Sequence, residues 1–239
     1  LEQPRCHLTS YPKLGEPGCS PEVAPPGIMS LTAVMGHQPP VTRCLAIASA
    51  LLTLGCALDL LAPSTLLLSW QLIIYELQLW RLVTCFLFFG PLGLPFIWNL
   101  CVLVHYCSSL EGISFQRKTA DFLWMLLCGA GMLLMLTYFF NMYFVSSSLI
   151  DLMTYVWGRK NSSARMQVFF FTVRAPYLAW VIAGMSVLMG GGVQDHLLGI
   201  AVGHVYYFFE DIYPRLPTSK GFRLFRTPEL LKWVCSQTD

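Results

Sequence analysis

Apolar residues gather in six long runs along this chain, and shorter polar stretches separate most of them. The runs cover residues 42–61, 90–110, 119–140, 143–157, 168–189 and 196–213. A helix needs about 20 apolar residues to cross a bilayer, and tilt or bilayer thinning accommodates some variation. The pattern therefore predicts six membrane-spanning helices, of which the fourth is short.

The stretch between the first two runs, residues 62–89, is too long for a turn and too apolar for a solvated loop. Trp70, Tyr75 and Trp80 lie there among leucines and isoleucines. Such a mixture is typical of segments that lie at the membrane surface. We expect a long first loop in the plane of the interface.

Residues before the first run are rich in Pro, Gly and Cys and lack helical periodicity. They contain no signal-peptide pattern. Met29 precedes the first ordered-looking sequence, so a native start at Met29 is an alternative to the full extension. The sequence predicts a disordered extension over 1–41, a six-helix membrane domain over 42–213 and a short tail over 214–239.

Composition agrees with a multi-pass membrane protein: 55% of residues are hydrophobic, only 12% are charged, and the mean hydropathy is +0.58. Basic residues concentrate in alternate connections and the tail, namely Arg117, Lys118, Arg159, Lys160, Arg165, Arg215, Lys220, Arg223, Arg226 and Lys232. The positive-inside rule then predicts that both termini are cytosolic, which requires an even number of spans. The net charge of +2 does not indicate a nucleic-acid partner. The cysteines form no metal-type pair, and neither a metal nor a cofactor is expected.

A few polar side chains interrupt the apolar runs. A charge at the bilayer centre costs about 3 kcal/mol, so each of these needs a partner or a water-filled cavity. Arg174 would either extend to the cytosolic surface or pair with Asp151 or Glu210. The full set is Asn99, His105, Asp151, Arg174, His196, His204, Glu210 and Asp211.

The last run combines small residues with histidines. Gly199 and Gly203 have the spacing that lets another helix approach closely, for packing inside a bundle or for dimerisation. His196 shares their helix face, as a surface histidine bound to a loop or as a general base, whereas His204 projects from a different face.

A serine hydrolase would need a nucleophile near one of these histidines. Ser146, Ser147 and Ser148 open the fourth run, and Ser186 follows Gly184 and Met185. The residue after Ser186 is Val187, where a GxSG turn would have glycine. The sequence therefore lacks the expected nucleophile motif.

Six sequence blocks resemble the Derlin family, the rhomboid-like pseudoproteases of endoplasmic-reticulum-associated degradation. They are WRLVTCFLFFGPLG (80–93), YCSSLEGISFQRKTADF (106–122), YVWGRK (155–160), APYLAW (175–180), LLGIAVGHVYYFFEDIYP (197–214) and TPELLK (227–232). The resemblance covers nearly everything after Met29.

This resemblance implies an all-α, rhomboid-like bundle of six helices in the endoplasmic-reticulum membrane. The first loop would lie partly in the lumenal leaflet and carry a WR motif at Trp80 and Arg81, and the GxxxG motif of the last span would be Gly199 and Gly203. The resemblance further implies that the chain cuts no peptide bond. It would instead promote retrotranslocation of misfolded lumenal and membrane proteins by thinning the bilayer and opening laterally.

The resemblance also implies partners. These are misfolded proteins, a ubiquitin ligase complex that leads to proteasomal degradation, an AAA ATPase, the lipid bilayer itself, and further copies of this chain or other Derlins. The tail lacks the Gly-rich ATPase-binding box of some Derlins, so direct contact with the ATPase is not expected.

Two departures keep other functions open. His196 stands where Derlins commonly carry an acidic residue, and HLLGIAVG matches the HxxGxxxG arrangement of active rhomboids. An intramembrane serine protease that uses His196 is therefore the alternative function. Arg174 stands where related proteins carry a neutral polar residue. A small-solute transporter is a third possibility, although the sequence shows no clear internal repeat.

Overall fold

The computed structural model describes residues 38–115, 118–140, 142–168, 171–216 and 227–236. The fold in this part of the chain is mostly helical. The long helices are α1 (Pro40–Ala57), α4 (Leu94–Ser109), α5 (Thr119–Phe140), α6 (Ser146–Lys160), α7 (Leu178–Leu188) and α8 (Val193–Tyr207). Residues 1–37, including Met29, lie outside the described part.

The first loop contains two short helices, α2 (Trp70–Glu76) and α3 (Arg81–Leu87), after a single 3₁₀ turn at Pro63–Thr65. Leu77 ends α2 in a left-handed conformation, with φ of 54°. Gly90 turns the chain towards α4 with φ of 97°, a value that favours glycine. The predicted long, partly apolar first loop is therefore structured.

Turns of other helix types extend two of the α-helices. A π turn at Leu110–Ser114 follows α4, and a π turn at Phe208–Ile212 with a 3₁₀ turn at Tyr213–Arg215 follows α8. In the tail, Glu229–Ser236 forms the short helix α9, which packs against α5.

Helix α6 lies at the centre of the bundle. It packs against α8, α7, α5, α4 and α3, and from Ser148 to Gly158 every residue is buried. Gly158 allows the backbone carbonyl of Ala175 to approach, at a place where a Cβ atom would collide with it. Because α6 is enclosed by protein, its polar residues can find partners there.

Helix boundaries differ from the predicted spans by a few residues at most ends. The first helix begins at Pro40, two residues before the predicted boundary, and ends at Ala57. The second begins at Leu94, because Gly90, Pro91 and Gly93 interrupt the apolar run. The last begins at Val193, three residues before the predicted start.

The prediction of a helix over 168–189 is wrong in its first part. Strands β1 (Arg165–Val168) and β2 (Phe171–Arg174) form an antiparallel hairpin, and a 3₁₀ turn at Ala175–Tyr177 leads into α7. The run is rich in β-branched and aromatic residues, which favour strands. Pro176 also disfavours a helical conformation at the residue before it.

Length and composition identify two of the described helices as candidate membrane spans, Pro40–Ala57 and Thr119–Phe140. A shorter apolar segment runs over Ala175–Leu188. The count of six spans and the orientation of the termini stay predictions.

Candidate functional site

The site that brings most of the predicted residues together lies where α6 meets α8. Gly199 and Gly203 of α8 face Ser148, Asp151, Leu152 and Tyr155 of α6. Asp151 and Leu152 each lie three or four residues from Ser148 and from Tyr155, so the four residues share one face of the helix. The face of α6 that carries the Ser148 hydroxyl, the Asp151 carboxyl and the Tyr155 phenol therefore packs against the glycine face of α8.

The two helix backbones approach closely at the glycines. A Cβ atom on Gly199 would collide with the carbonyl oxygen of Ser148 and lie 2.8 Å from the Ser148 Cα. On Gly203, the added atom would lie 3.1 Å from the Tyr155 Cβ. The glycines therefore pack α8 inside the bundle, one of the two uses that the sequence left open.

A buried pair lies at the centre of this contact. His196 Nδ1 is 2.5 Å from Asp151 Oδ2, and the two side chains are exposed by only 5% and 1%. His196 is thus neither a surface residue bound to a loop nor an isolated base, because a carboxylate on another helix orients its ring. Asp151 Oδ1 and His196 Nε2 have no hydrogen-bond partner among the described residues.

Ser186 of α7 lies beside the free nitrogen of this histidine. A Cβ atom on Gly191 would be 2.9 Å from Ser186 Oγ and 3.0 Å from His196 Nε2, so both atoms border the space that glycine leaves open. No described serine forms a hydrogen bond to Nε2, since that nitrogen has no hydrogen-bond partner in the described chain. Two of the three serines at the start of α6 are engaged elsewhere: Ser146 Oγ donates to the Phe88 carbonyl at 2.7 Å and Ser148 Oγ to the Asp195 carbonyl at 2.6 Å.

His204 belongs to a second contact between the same helices. Its Nδ1 is 2.6 Å from the Tyr155 hydroxyl, which accepts a hydrogen bond from Arg159 Nε at 3.0 Å. His204 is exposed and occupies a different face of α8 from His196. The two histidines therefore make separate contacts, as their spacing predicts.

Arg81 is the central residue of the first loop. It is buried, its Nη1 donates to the carbonyls of Ser64 and Leu67 at 2.9 and 2.8 Å, and its Nε donates to Gln78 Oε1 at 2.6 Å. Trp80, in contrast, is 56% exposed. The two neighbours thus differ in role: Arg81 holds the loop together and Trp80 faces outwards.

The remaining predicted residues are scattered. Asn99 is half-buried on α4, and His105 is exposed with its ring 4.9 Å from that of Tyr106. Glu210 is half-buried in the π turn after α8, where the neighbouring Asp211 lies 3.3 Å from Lys160 Nζ.

Arg174 corrects a sequence expectation. It lies on β2 and is exposed, so it neither extends from within a helix nor pairs with Asp151 or Glu210. Asp151 has His196 as its partner instead.

Glu111 is a site residue that the sequence reasoning missed. Its carboxylate is buried and accepts hydrogen bonds from the Val41 and Thr42 amides at 3.2 and 3.0 Å and from the Thr42 hydroxyl at 2.8 Å. It thereby caps the first turn of α1 from the π turn that follows α4, and an acid directly after an apolar run is the signal that could have identified it.

The described residues contain no group of three His, Cys, Asp or Glu side chains that could hold a metal ion. The arrangement around His196 consists of hydrogen bonds between side chains and backbone. It can orient an imidazole and fix two helices against each other.

Comparison with known proteins identifies the family. The Der1-like family model matches residues 38–229, which include α1 to α8 and the hairpin. The chain belongs to the Der1-like family. It is 40% identical to Derlin-2.2 of Arabidopsis thaliana over 208 residues. The aligned part covers 82% of this chain and 84% of that protein.

Other members of the family are similar over the same part of the chain. Derlin-2 of Oryza sativa subsp. japonica is 40% identical, covering 82% of each chain. Derlin-1 of the same plant is 34% identical over 199 residues, covering 82% of this chain and 80% of that protein. The resemblance drawn from the sequence blocks is confirmed.

Proposed function

We propose that this Der1-like protein is a non-proteolytic component of endoplasmic-reticulum-associated degradation. It promotes retrotranslocation of misfolded lumenal and membrane proteins to the cytosol, where they are ubiquitinated and degraded by the proteasome. It resides in the endoplasmic-reticulum membrane, with six spans and both termini in the cytosol.

The shortness of α7 is the observation that supports this mechanism. This helix has 11 residues and exposes Trp180 and Leu188, whereas α6 is enclosed by protein. At about 1.5 Å per residue α7 extends roughly 17 Å, against about 30 Å for a typical hydrocarbon core. Bilayer around short helices thins to avoid exposing polar ends, and a thin region lowers the cost of passing polar chain.

The first loop supports the same mechanism. Several large apolar side chains on it are exposed, and Arg81 keeps the loop folded from within. The exposed set is Ile74, Tyr75, Leu77, Leu79, Trp80 and Val83. Apolar groups on a loop at the membrane surface insert among the lipids and disturb their packing.

The resemblance to Derlins suggests the partners that we propose. Misfolded proteins enter through a lateral opening, a ubiquitin ligase complex modifies them, and an AAA ATPase pulls from the cytosol. The protein works in the bilayer as an oligomer with itself or with other Derlins.

The rhomboid-type protease receives no support from the relatives, and His196 forms no hydrogen bond to a described serine. We expect that a fluorophosphonate probe labels no serine of the purified protein. Labelling that disappears in His196→Ala would contradict the non-proteolytic function.

The function can be tested with Trp80→Ala in cells that depend on this chain. We expect a longer half-life of a misfolded lumenal reporter at an unchanged level of the variant, because Trp80 is exposed and its loss leaves the Arg81 hydrogen bonds in place. Trp180→Ala on α7, exposed by 53%, is the matched control with an unchanged half-life. Equal half-lives in all three proteins would reject the role of the first loop.

A further inference from the structure

The hairpin between α6 and α7 places two arginines side by side. Arg165 of β1 pairs directly with Arg174 of β2, and the Ala175 amide donates to the Ala164 carbonyl at 3.0 Å at the neighbouring position. The arginine pair is therefore a non-hydrogen-bonded pair, the kind in which opposite side chains lie closest. Like charges directly opposite each other destabilise a sheet.

No carboxylate of the described residues relieves this repulsion. Both guanidiniums are exposed, and neither has a hydrogen-bond or ion-pair partner in the described chain. Their basic neighbours on α6 are engaged: Arg159 Nε donates to the Tyr155 hydroxyl and Lys160 pairs with Asp211. The pair is thus a cationic site without an internal anion.

The hairpin is built to present this pair outwards. Met166 and Val168 are buried against the bundle, whereas Arg165 and Gln167 of the same strand are exposed. The alternation is the one expected when one face of a sheet packs and the other meets the surroundings. The exposed face carries both arginines.

Exposed aromatic residues mark the depth of the site in the membrane. Tyr177 and Trp180 follow Arg174 at the start of α7 and are 64% and 53% exposed. Tyrosine and tryptophan with exposed rings concentrate at the level of the lipid headgroups. With the membrane position given under the proposed function, on which this step rests, the arginine pair lies in the layer that contains the lipid phosphates.

We propose that Arg165 and Arg174 bind the headgroup of an anionic phospholipid, with phosphatidylserine of the cytosolic leaflet as the representative ligand. A guanidinium donates two parallel hydrogen bonds to a phosphate or a carboxylate, so the two arginines bind the phosphate and the serine carboxylate, two negative charges against two positive ones. Binding also removes the repulsion within the pair. The site anchors the hairpin, and with it the ends of α6 and α7, to the membrane surface.

Native mass spectrometry of the full chain in detergent, titrated with phosphatidylserine or phosphatidylcholine, tests this proposal. In the double variant Arg165→Gln with Arg174→Gln we expect the apparent affinity for phosphatidylserine to fall by about 10-fold to 30-fold. Affinity for phosphatidylcholine, which has a phosphate but no carboxylate, should fall by much less. The variant is expected to fold, because it removes a repulsive pair from the hairpin.

The control is Lys118→Gln with Arg215→Gln, which removes the same charge from two other exposed positions. Its phosphatidylserine affinity should equal that of the unmodified protein. The proposal is overturned if the arginine variant retains its affinity, if the control loses as much, or if inorganic phosphate displaces the lipid. A poly-glutamate peptide that binds the arginine pair while lipid binding is unaffected by the variant would also overturn it, in favour of an acidic protein partner.

Discussion

His196 and Asp151 are 45 residues apart in the chain, yet Nδ1 of the histidine lies 2.5 Å from Oδ2 of the aspartate in the interior of the bundle. The pair joins α8 to α6 beside the close approach of the two backbones at Gly199. A polar pair buried in this way has large consequences when one partner is removed, because the other is left without compensation.

We therefore expect His196→Ala and Asp151→Ala each to lower the free energy of unfolding by about 3 kcal/mol. The double variant should cost clearly less than the sum of the two. Reversible unfolding in mixed micelles, followed by tryptophan fluorescence, measures the free energy of unfolding of the unmodified protein, the two single variants and the double variant. Strictly additive losses would show that the two side chains do not stabilise each other.

Gly199→Ala should destabilise the protein by about 1–3 kcal/mol, because the new methyl group meets the backbone of Ser148 and forces α6 and α8 apart. The same unfolding measurement applies. Gly131→Ala on α5 is the matched control, since nothing lies within 4 Å of its added Cβ atom. A loss in the control as large as that in Gly199→Ala would refute the packing explanation.

Arg81→Ala should loosen the first loop, because the carbonyls of Ser64 and Leu67 lose their donor; the expected cost is about 1–3 kcal/mol. Hydrogen exchange of the amides in 62–87 should accelerate. Arg81→Lys restores the charge but only part of the protection, since an ammonium group lacks the fork of donors. Trp80→Ala should leave exchange in this loop unchanged, and faster exchange there would contradict the division of roles between the two residues.

Glu111→Ala should release the first turn of α1 and cost about 0.5–2 kcal/mol, the range found when a helix loses its cap. Faster hydrogen exchange at the Val41 and Thr42 amides is the direct measurement. Glu229→Ala in the tail helix removes an exposed acid whose pair with Lys232 is worth little, so it serves as the control. Unchanged exchange at Val41 and Thr42 in Glu111→Ala would exclude the capping role.

The GxxxG spacing of Gly199 and Gly203 predicted a close helix contact, and the bundle contains one. The spacing could not name the partner helix, because any backbone with small neighbours can approach a glycine face. The serine, aspartate and tyrosine of α6 that fill this contact were visible in the sequence only as unrelated polar residues.

The hairpin at Arg165–Arg174 shows where hydropathy misleads. An apolar run of phenylalanine, valine and threonine satisfies the composition of a membrane helix and of a buried strand equally well. Pro176 was the local signal for a break. Once the hairpin replaces the first turns of the predicted helix, Arg174 moves from the interior of a span to an exposed position opposite Arg165.

The apolar segments, the glycines and prolines that interrupt them, and the family of the chain could all be read from the residues in order, because they depend on the order of side chains alone. The contact of His196 with Asp151, the cap of Glu111 on α1 and the pairing of Arg165 with Arg174 became visible only in the folded chain. Those contacts depend on how helices and strands are placed against one another. Their placement follows from packing over the whole bundle, which no local stretch of residues encodes.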